Sequence, residues 1–574
     1  MESYVSLPSK GLIQAVKDTS SVLMWQTLIA VLLFSCIATR IISGLESRPK
    51  KAVRGEPRPV RTPPYWIPWI GHGFSFFKGY QRFIAQAREA MNEPVFSLYI
   101  GGTTHNMVCS PSMAKTLFNY RGATFDSFAN YVLAKVFGDK GPIRNMNPDD
   151  RKATHNAINM LMREPYVTDI SSAAVRRIQN ETPNLVSFSH SVVDQYDWER
   201  PSNVVVIDGC SRPTCEANLF ALIRNFVAHI TTSVLMGTAF VEAYPNLLED
   251  LWKFDNEFNA LLMGAPRWLP SPGISAAYAA RHRLIRLFEI FHKAFAAFEE
   301  DRDPGFEFRD LDDVSEPMKE RMRSWKKAGF APSASAPGDF VILWAMNVNS
   351  SNVVFWNLFH ILADPTLLTR VREEIAPYVK VTRATPEETG LPFAEPPRIS
   401  INLDGLLNSC PLLKATYYET MRMDTAPFSY RELTADLTLT ESVEDAALDG
   451  LSEPRTYSFR KGEYIAIPHG VHNKDPRYFP DPEKFDPRRF ILTDPDTGKE
   501  SADMRTLSPY GGGMTMCKGR IFAEREILAF TAAILSMWDI EPANKQGWKM
   551  PGHRPASTAF LPKKDIRVRM SQRV

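Results

Sequence analysis

Val22 to Thr39, VLMWQTLIAVLLFSCIAT, is a run of 18 residues without a charge, and it constrains the chain more than any other stretch. It lies near the lower limit for a helix crossing the hydrocarbon core of a bilayer, which takes about 17–25 residues. A cleaved signal peptide or a buried core helix reads similarly. A signal peptide, however, has a shorter apolar region and a clear small-residue cleavage site, and Cys36-Ile37-Ala38 is a poor one. After the run, Arg40, Arg48, Lys50, Lys51, Arg54, Arg58 and Arg61 outweigh Glu46 and Glu56. Before it, Lys10 and Lys17 are balanced by Glu2 and Asp18. The positive-inside rule therefore leaves the bulk of the chain in the cytosol. The expected organisation is a short lumenal segment over 1–21, a transmembrane anchor over 22–42, a basic proline-rich hinge over 43–70 and one large domain over 71–574.

The hinge contains RGEPRPVRTPPYWIPWIGHG, 54–73, with prolines at 57, 59, 63, 64 and 68. Proline holds φ near −65° and favours extended backbone, so this stretch reads as a stiff spacer. From about residue 70 the pattern is mostly helical, with amphipathic runs such as RHRLIRLFEIFHKAFAAFEE (281–300). Strand-like alternation is confined to short pieces, EYIAIPHG (463–470) among them. The acidic insert ESVEDAALDGLSEP (441–454) reads as a solvated surface loop. A hydrophobic content of 44% suits a large core, and a net charge of +2 argues against nucleic acid as the main partner. The six cysteines form no C-x-x-C pair, so neither a disulfide framework nor a zinc site is indicated.

The chemistry concentrates in SPYGGGMTMCKGR, 508–520. Glycine gives up the most backbone freedom on folding, so three in a row suggest something lying close to the backbone. After Cys517 the pattern turns helical, with Ile521, Leu528, Ala532 and Leu535 on one face. Cys517 therefore sits at a helix N-terminus, where free N–H groups and the helix dipole favour a thiolate. Such a thiolate is a nucleophile or a metal ligand, and a plain structural turn is the bland alternative. Nearby N–H donors would tune a thiolate-bound metal.

YGGGMTMCKG (510–519) resembles the haem-binding signature F-x-x-G-x-R-x-C-x-G of the cytochrome P-450 superfamily. Gly513, Cys517 and Gly519 match, while Tyr510 stands for the phenylalanine and Thr515 for the arginine. YYETMR (417–422) matches E-x-x-R through Glu419 and Arg422, and FDPRRF (485–490) matches F-x-P-x-R-F, which brings Arg489. PPYWIPWIG (63–71) resembles the proline-rich hinge. The signatures stand in the family's order, and the likeness spans roughly residues 60–570. It implies a mainly α fold with small β-sheets, a single haem-binding domain behind the anchor, and Cys517 as axial ligand and metal-binding residue. Gly513, Gly519 and Tyr510 would line the cofactor. Glu419, Arg422 and Arg489 would form a structural triad supporting the haem side of the fold.

DFVILWAMNVNSSNVVFWNLFHILADP (339–365) occupies the place of the family's long central helix. Where most members carry A-G-x-(D/E)-T, this chain has Met346, Asn347, Val348, Asn349 and Ser350. The W-A…N…F-W frame and FDNEFNALLMGAP (254–266) resemble the branch containing the sterol hydroxylases of bile-acid synthesis and prostacyclin synthase. Threonine two residues before the ligand is found there too. By position, Asn349 and Ser350 are the candidate catalytic residues; polar residues inside a helix can also simply bond the backbone. Arg431, in SYRELTAD, matches an arginine that contacts a haem propionate in relatives, while the W-x-x-x-R of another propionate contact is absent near 130–165.

The resemblance thus implies a membrane-anchored haem-thiolate monooxygenase acting on a bulky apolar substrate, such as a sterol, terpenoid or alkaloid of specialised metabolism. NADPH would serve indirectly, through a reductase docking on the face with Lys518, Arg520 and Arg525, because no flavin or dinucleotide motif occurs in the chain. The expected setting is a monomer, single-pass in the endoplasmic reticulum membrane, facing the cytosol. The style of the loop and the long N-terminus resemble filamentous-fungal members. Two rivals remain: a haem-thiolate isomerase or dehydratase that rearranges a peroxide without a reductase, and a non-catalytic membrane haem- or lipid-binding protein.

Overall fold

The computed structural model describes residues 10–49, 56–384, 395–554 and 558–573. Glu2, Lys50, Lys51 and Arg54 of the charge argument lie outside the described residues. Two compact units emerge: residues 1–124 with 429–472, and 125–428 with 473–574.

The first unit begins with helix α1 (Lys10–Glu46), which continues the apolar run in both directions. Its stretch Met24–Glu46 is long and apolar enough to cross a membrane, and only 6% of its most apolar window is buried. Leu32, Leu33 and Phe34 point outward where a soluble core helix would bury them. The proline-rich stretch that follows is tied down. Ser43 Oγ and the Tyr65 backbone exchange bonds of 3.1 Å, and Arg61 Nε donates to Ser47 O at 2.9 Å. Arg58 N–H bonds Thr456 O and Ser97 N–H bonds Arg61 O, so extended proline-bearing backbone adds to sheet edges. His72 is buried between Tyr99 N–H, which donates to Nδ1, and Pro63 O, which accepts from Nε2; burial holds it below the usual imidazole range.

After helix α2 (Gly73–Met91), five strands form one sheet in the order β1-β2-β5-β4-β3. They are β1 (Val95–Ile100), β2 (Thr103–Val108), β3 (Ala123–Thr124), β4 (Phe428–Leu433) and β5 (Tyr464–Pro468). The alternation seen in EYIAIPHG is β5, which runs parallel to β2 with Ile465 opposite Asn106. The insert 441–454 is not the solvated loop expected. Val443–Leu448 is a short helix capped by Ser442, and Asp445 Oδ2 accepts from Ser110 Oγ at 2.6 Å. Buried Arg455 holds Glu441 at 2.6 Å. Glu441 and Asp445 have partners, and that lets them be buried, while Glu444 and Glu453 stay exposed.

The second unit is helical around one apolar core. Helix α3 (Leu219–Met236) is apolar enough to cross a membrane, yet 83% of it is buried, which makes it a core helix. Helices α4 (Leu247–Asn256) and α5 (Pro272–Phe298) pack beside the longest helix of the unit, α6 (Pro332–Ala363). Proline at the first position of α6 loses no hydrogen bond there. From 351 to 362 every residue of α6 is buried, so both sides of the helix are covered by protein. Helix α7 (Pro411–Met423) and helix α8 (Arg520–Met537) pack against it. A four-stranded antiparallel sheet, in the order Trp538–Pro542, Arg567–Gln572, Thr214–Asn218 and Val205–Ile207, brings the C-terminus to the start of α3.

Candidate active site

The glycine-cysteine loop ends where helix α8 begins, with Gly519 as its N-cap. Gly511 and Gly513 have φ of +68° and +67°, a left-handed region that a side chain would strain. The loop closes through Cys517 N–H to Tyr510 O at 3.0 Å and Met516 N–H to Gly513 O at 3.1 Å. Cys517 is exposed. Burial of the surrounding loop pushes its thiol up, while the N–H groups of Gly519 and Arg520 and the charges of Arg520 and Lys518 pull it down. A bound cation would settle that balance, since a coordinating thiol is deprotonated outright.

Helix α6 borders an opening on one face. Between Phe340 and Ser351, Val341, Ile342, Trp344, Ala345, Met346 and Asn349 are exposed or half-buried. They fall at i, i+1, i+3, i+4, i+5 and i+8, on one side of the helix, with Trp344 at its edge bonded to Asp255. The Met346 sulfur lies 3.5 Å from where a Cβ on Gly519 would stand, so the stripe and the cysteine loop meet around the same space. Among the described residues no group of three His, Cys, Asp or Glu could hold a metal. A metal at Cys517 must therefore bring ligands of its own, as a macrocycle does. One thiolate with two N–H donors, beside a mostly apolar stripe, fits a haem.

The polar residues of α6 divide by their bonds. Asn347 Nδ2 donates to Thr232 Oγ1 at 3.0 Å and to Leu343 O at 2.9 Å, and Ser351 Oγ donates to Asn347 O at 2.6 Å. Those side chains serve the helix and its packing, which removes Ser351 from any relay. Asn349 Oδ1 accepts from Ala559 N–H at 3.3 Å. The assignment of oxygen here is forced, because an N–H needs an acceptor. The Asn349 NH2 group is left without an acceptor among the described residues. Ser350 is buried, and its hydroxyl has no hydrogen bond among the described residues.

Glu419, Arg422 and Arg489 come together. Arg422 grips Glu419 with two bonds of 2.7 and 2.8 Å, and Arg489 Nε reaches Glu419 Oε1 at 3.1 Å. Glu419 and Arg422 are fully buried. Tyr510, at the phenylalanine position, shares a hydroxyl–hydroxyl contact with buried Tyr417. Arg431 lies in β4 of the first unit, buried, donating to Tyr430 O at 2.7 Å. Arg520 and Arg525 are engaged inside the second unit, with Cys517 O at 3.0 Å and Thr168 Oγ1 at 3.4 Å. Sequence reasoning missed the cluster of Asp424 with His360 and His553, at 2.8 and 2.7 Å. Its members are 64 and 129 residues apart, and no local pattern connects them.

A sequence model of the family described as Cytochrome P450 matches residues 61–570. Among curated proteins the chain is 28% identical over 491 residues to cytochrome P450 monooxygenase poxD of Penicillium oxalicum, covering 85% of this chain and 88% of that one. It is 26% identical over 541 residues to cytochrome P450 7A1 of Rattus norvegicus, covering 90% and 92%. It is 24% identical over 485 residues to 7-alpha-hydroxycholest-4-en-3-one 12-alpha-hydroxylase of Homo sapiens, covering 83% and 85%.

Proposed function

The chain belongs to the cytochrome P450 family and is a monooxygenase, and from that premise we propose that Cys517 would hold the iron of its haem and that the protein oxidises a bulky apolar substrate at a membrane. The observation that carries this reading is the exposed Cys517 with N–H donors at Gly519 and Arg520, beside the open stripe of α6. When bound, the haem supplies the chemistry that splits dioxygen, one atom entering the substrate and the other leaving as water. The family draws the electrons from NADPH through a reductase.

The chain's own residues do the rest. Cys517 would hold the iron, and the N–H groups of Gly519 and Arg520 would spread the thiolate's negative charge. Gly513 and Gly519 would leave room for the cofactor, and Tyr510, bonded to Tyr417, lies near Cys517. Arg431 is assigned to a haem propionate by its match to the family's motif alone. Val341, Ile342 and Ala345 present an apolar wall that excludes water and suits a sterol-like or terpenoid substrate. The human relative is named for a sterol substrate, 7-alpha-hydroxycholest-4-en-3-one, which supports that class. Asn349 holds a water or a substrate oxygen through its NH2 group, and the Ser350 hydroxyl passes a proton towards the reacting oxygen. Glu419, Arg422 and Arg489 are scaffold.

Met24–Glu46 serves as a single span, and the catalytic part faces the cytosol from the endoplasmic reticulum membrane. Its length and its outward-facing apolar side chains support that reading. A reductase docks on the side carrying Lys518, and the protein acts as a monomer.

Three measurements test this. The reduced protein with carbon monoxide should show the strongly red-shifted band of a thiolate-bound haem, and Cys517→Ala should abolish it. Substitution of buried Cys109 or Cys410 should leave it unchanged. Turnover should require NADPH and reductase and should place label from 18O2 in the product. Product formed from an organic peroxide without reductase or label would make the isomerase the better account.

A further inference from the structure

We infer that Asp424, clamped between His360 and His553, is the positioning residue for Asn349: it fastens the segment Thr558–Phe560 whose Ala559 N–H fixes the Asn349 amide. The inference rests on Asn349 facing the haem side, as proposed above.

The segment is held from two directions. On one side, Phe560 N–H donates to Asp424 O at 2.8 Å and Ala426 N–H donates to Thr558 O at 2.9 Å. Thr425 and Ala559 form an isolated antiparallel bridge between them. On the other side, three side chains of α6 meet the segment's backbone. Ala559 N–H donates to Asn349 Oδ1 at 3.3 Å, Asn352 Nδ2 donates to Ala559 O at 3.4 Å, and Trp356 Nε1 donates to Phe560 O at 2.8 Å. Asn349, Asn352 and Trp356 are spaced i, i+3 and i+7, one face of the helix. Both backbone groups of Ala559 are thus spent on asparagine side chains.

Asp424 locks the arrangement. It is fully buried, follows directly on α7, and its carboxylate accepts from His360 of α6 at 2.8 Å and from His553 at 2.7 Å. His553 pairs with Pro562 between two short antiparallel strands, and its ring lies 4.6 Å from Phe560 and 4.9 Å from Trp356. His360 stacks on Phe485 at 4.1 Å. One carboxylate therefore joins α6, the end of α7 and the start of that strand pair at a single point. A buried carboxylate with one partner removed would not stay in place, because its desolvation is no longer offset.

The consequence for the site is directional. With Ala559 N–H on Oδ1, Asn349 can turn only its NH2 group towards the opening. Without it the amide is free to rotate and to present either end. The clamp thus makes Asn349 a fixed donor.

The test uses the full-length holoenzyme with His553→Ala, His553→Gln, Asn349→Ala and the double variant His553→Ala with Asn349→Ala. The readouts are the g values of the ferric haem by electron paramagnetic resonance and the fraction of NADPH recovered as peroxide with reductase and no added substrate. His553→Ala should shift the g values and raise the peroxide fraction at least about twofold, the lower end for residues sharing one network. His553→Gln, whose side-chain amide can still donate to Asp424, should restore both. In the Asn349→Ala background, His553→Ala should add nothing. Unchanged g values and peroxide in His553→Ala, or an effect that simply adds to Asn349→Ala, overturns the inference. The carbon monoxide band is read in every variant. Its absence from the wild type would count against the Cys517 reading, and a band present throughout leaves the positioning result to stand by itself.

Discussion

Arg422 holds Glu419 through two nearly equal bonds of 2.7 and 2.8 Å, and neither side chain reaches solvent. The same carboxylate also accepts from Asp486 N–H at 2.9 Å and from Arg489 Nε at 3.1 Å. Arg422 spends a further N–H on Asn473 O at 2.8 Å. One helical turn thereby fixes the course of the chain through 473–489. Replacing Glu419 by Gln leaves Arg422 as an uncompensated buried cation, a loss of about 3–5 kcal/mol by the usual cost of breaking such a pair. Thermal unfolding should fall and haem content with it, while Arg489→Lys, at the more exposed partner, should fall less. Equal stability of Glu419→Gln and wild type would contradict a structural role.

Glu526 offers a test by pH. It lies in α8, buried, with Oε1 accepting from Thr231 and Oε2 without a partner among the described residues. Burial pushes its carboxyl up to about 8 from an ordinary 4.5. The folded chain therefore binds a proton that the unfolded chain releases, and stability falls as pH rises through that window. Glu526→Gln carries no such proton. Its stability relative to wild type should grow between pH 4.5 and 8 and level off above, as read from denaturant midpoints. A pH-independent difference would show that Glu526 is ionised in the fold.

Removing residues 1–39 should turn a firmly integrated protein into one held weakly at the membrane surface, with the haem spectrum intact. The cut is placed before Arg40 and Ser43, which bond Pro64 O and the Tyr65 backbone. Extending the deletion to residue 44 should cost those bonds as well, at about 0.5–1.5 kcal/mol each. Fractionation with carbonate and salt distinguishes the two states. Full integration of the shorter chain would rule out a single N-terminal span.

Changing Asn349 and Ser350 together to alanine should leave the carbon monoxide band normal and divert NADPH to peroxide. Positioned proton transfer is typically worth about 10²–10⁴-fold, so product should fall by a large factor. Ser351→Ala, whose hydroxyl is committed to Asn347 O at 2.6 Å, should behave as wild type in coupling. The reverse order of effects would move the relay to Ser351.

Local chemistry was legible wherever a motif and its partner sit close in the chain or follow a period. The apolar run, the helix starting after Cys517, the Glu419–Arg422 spacing and the β5 alternation all depend on residues within a few positions of each other, where helix and strand geometry alone sets the neighbours. The insert 441–454 was misread because acidic composition signals solvent only until a partner arrives, and Arg455 and Ser110 are set against it by the fold. The roles of the α6 amides were equally hidden. Asn347, Asn349 and Asn352 are one residue type on one helix, and what separates them is contact with Thr232 or with Ala559, 115 and 210 residues away for the first two. Hydrogen-bond direction is decided by which donor stands opposite, and only packing brings that donor. The sequence alone carries the likeness to the family and the cysteine in its loop. Which amide of α6 meets the Ala559 N–H follows from a long-range contact, whose free energy belongs to a pair no local pattern joins.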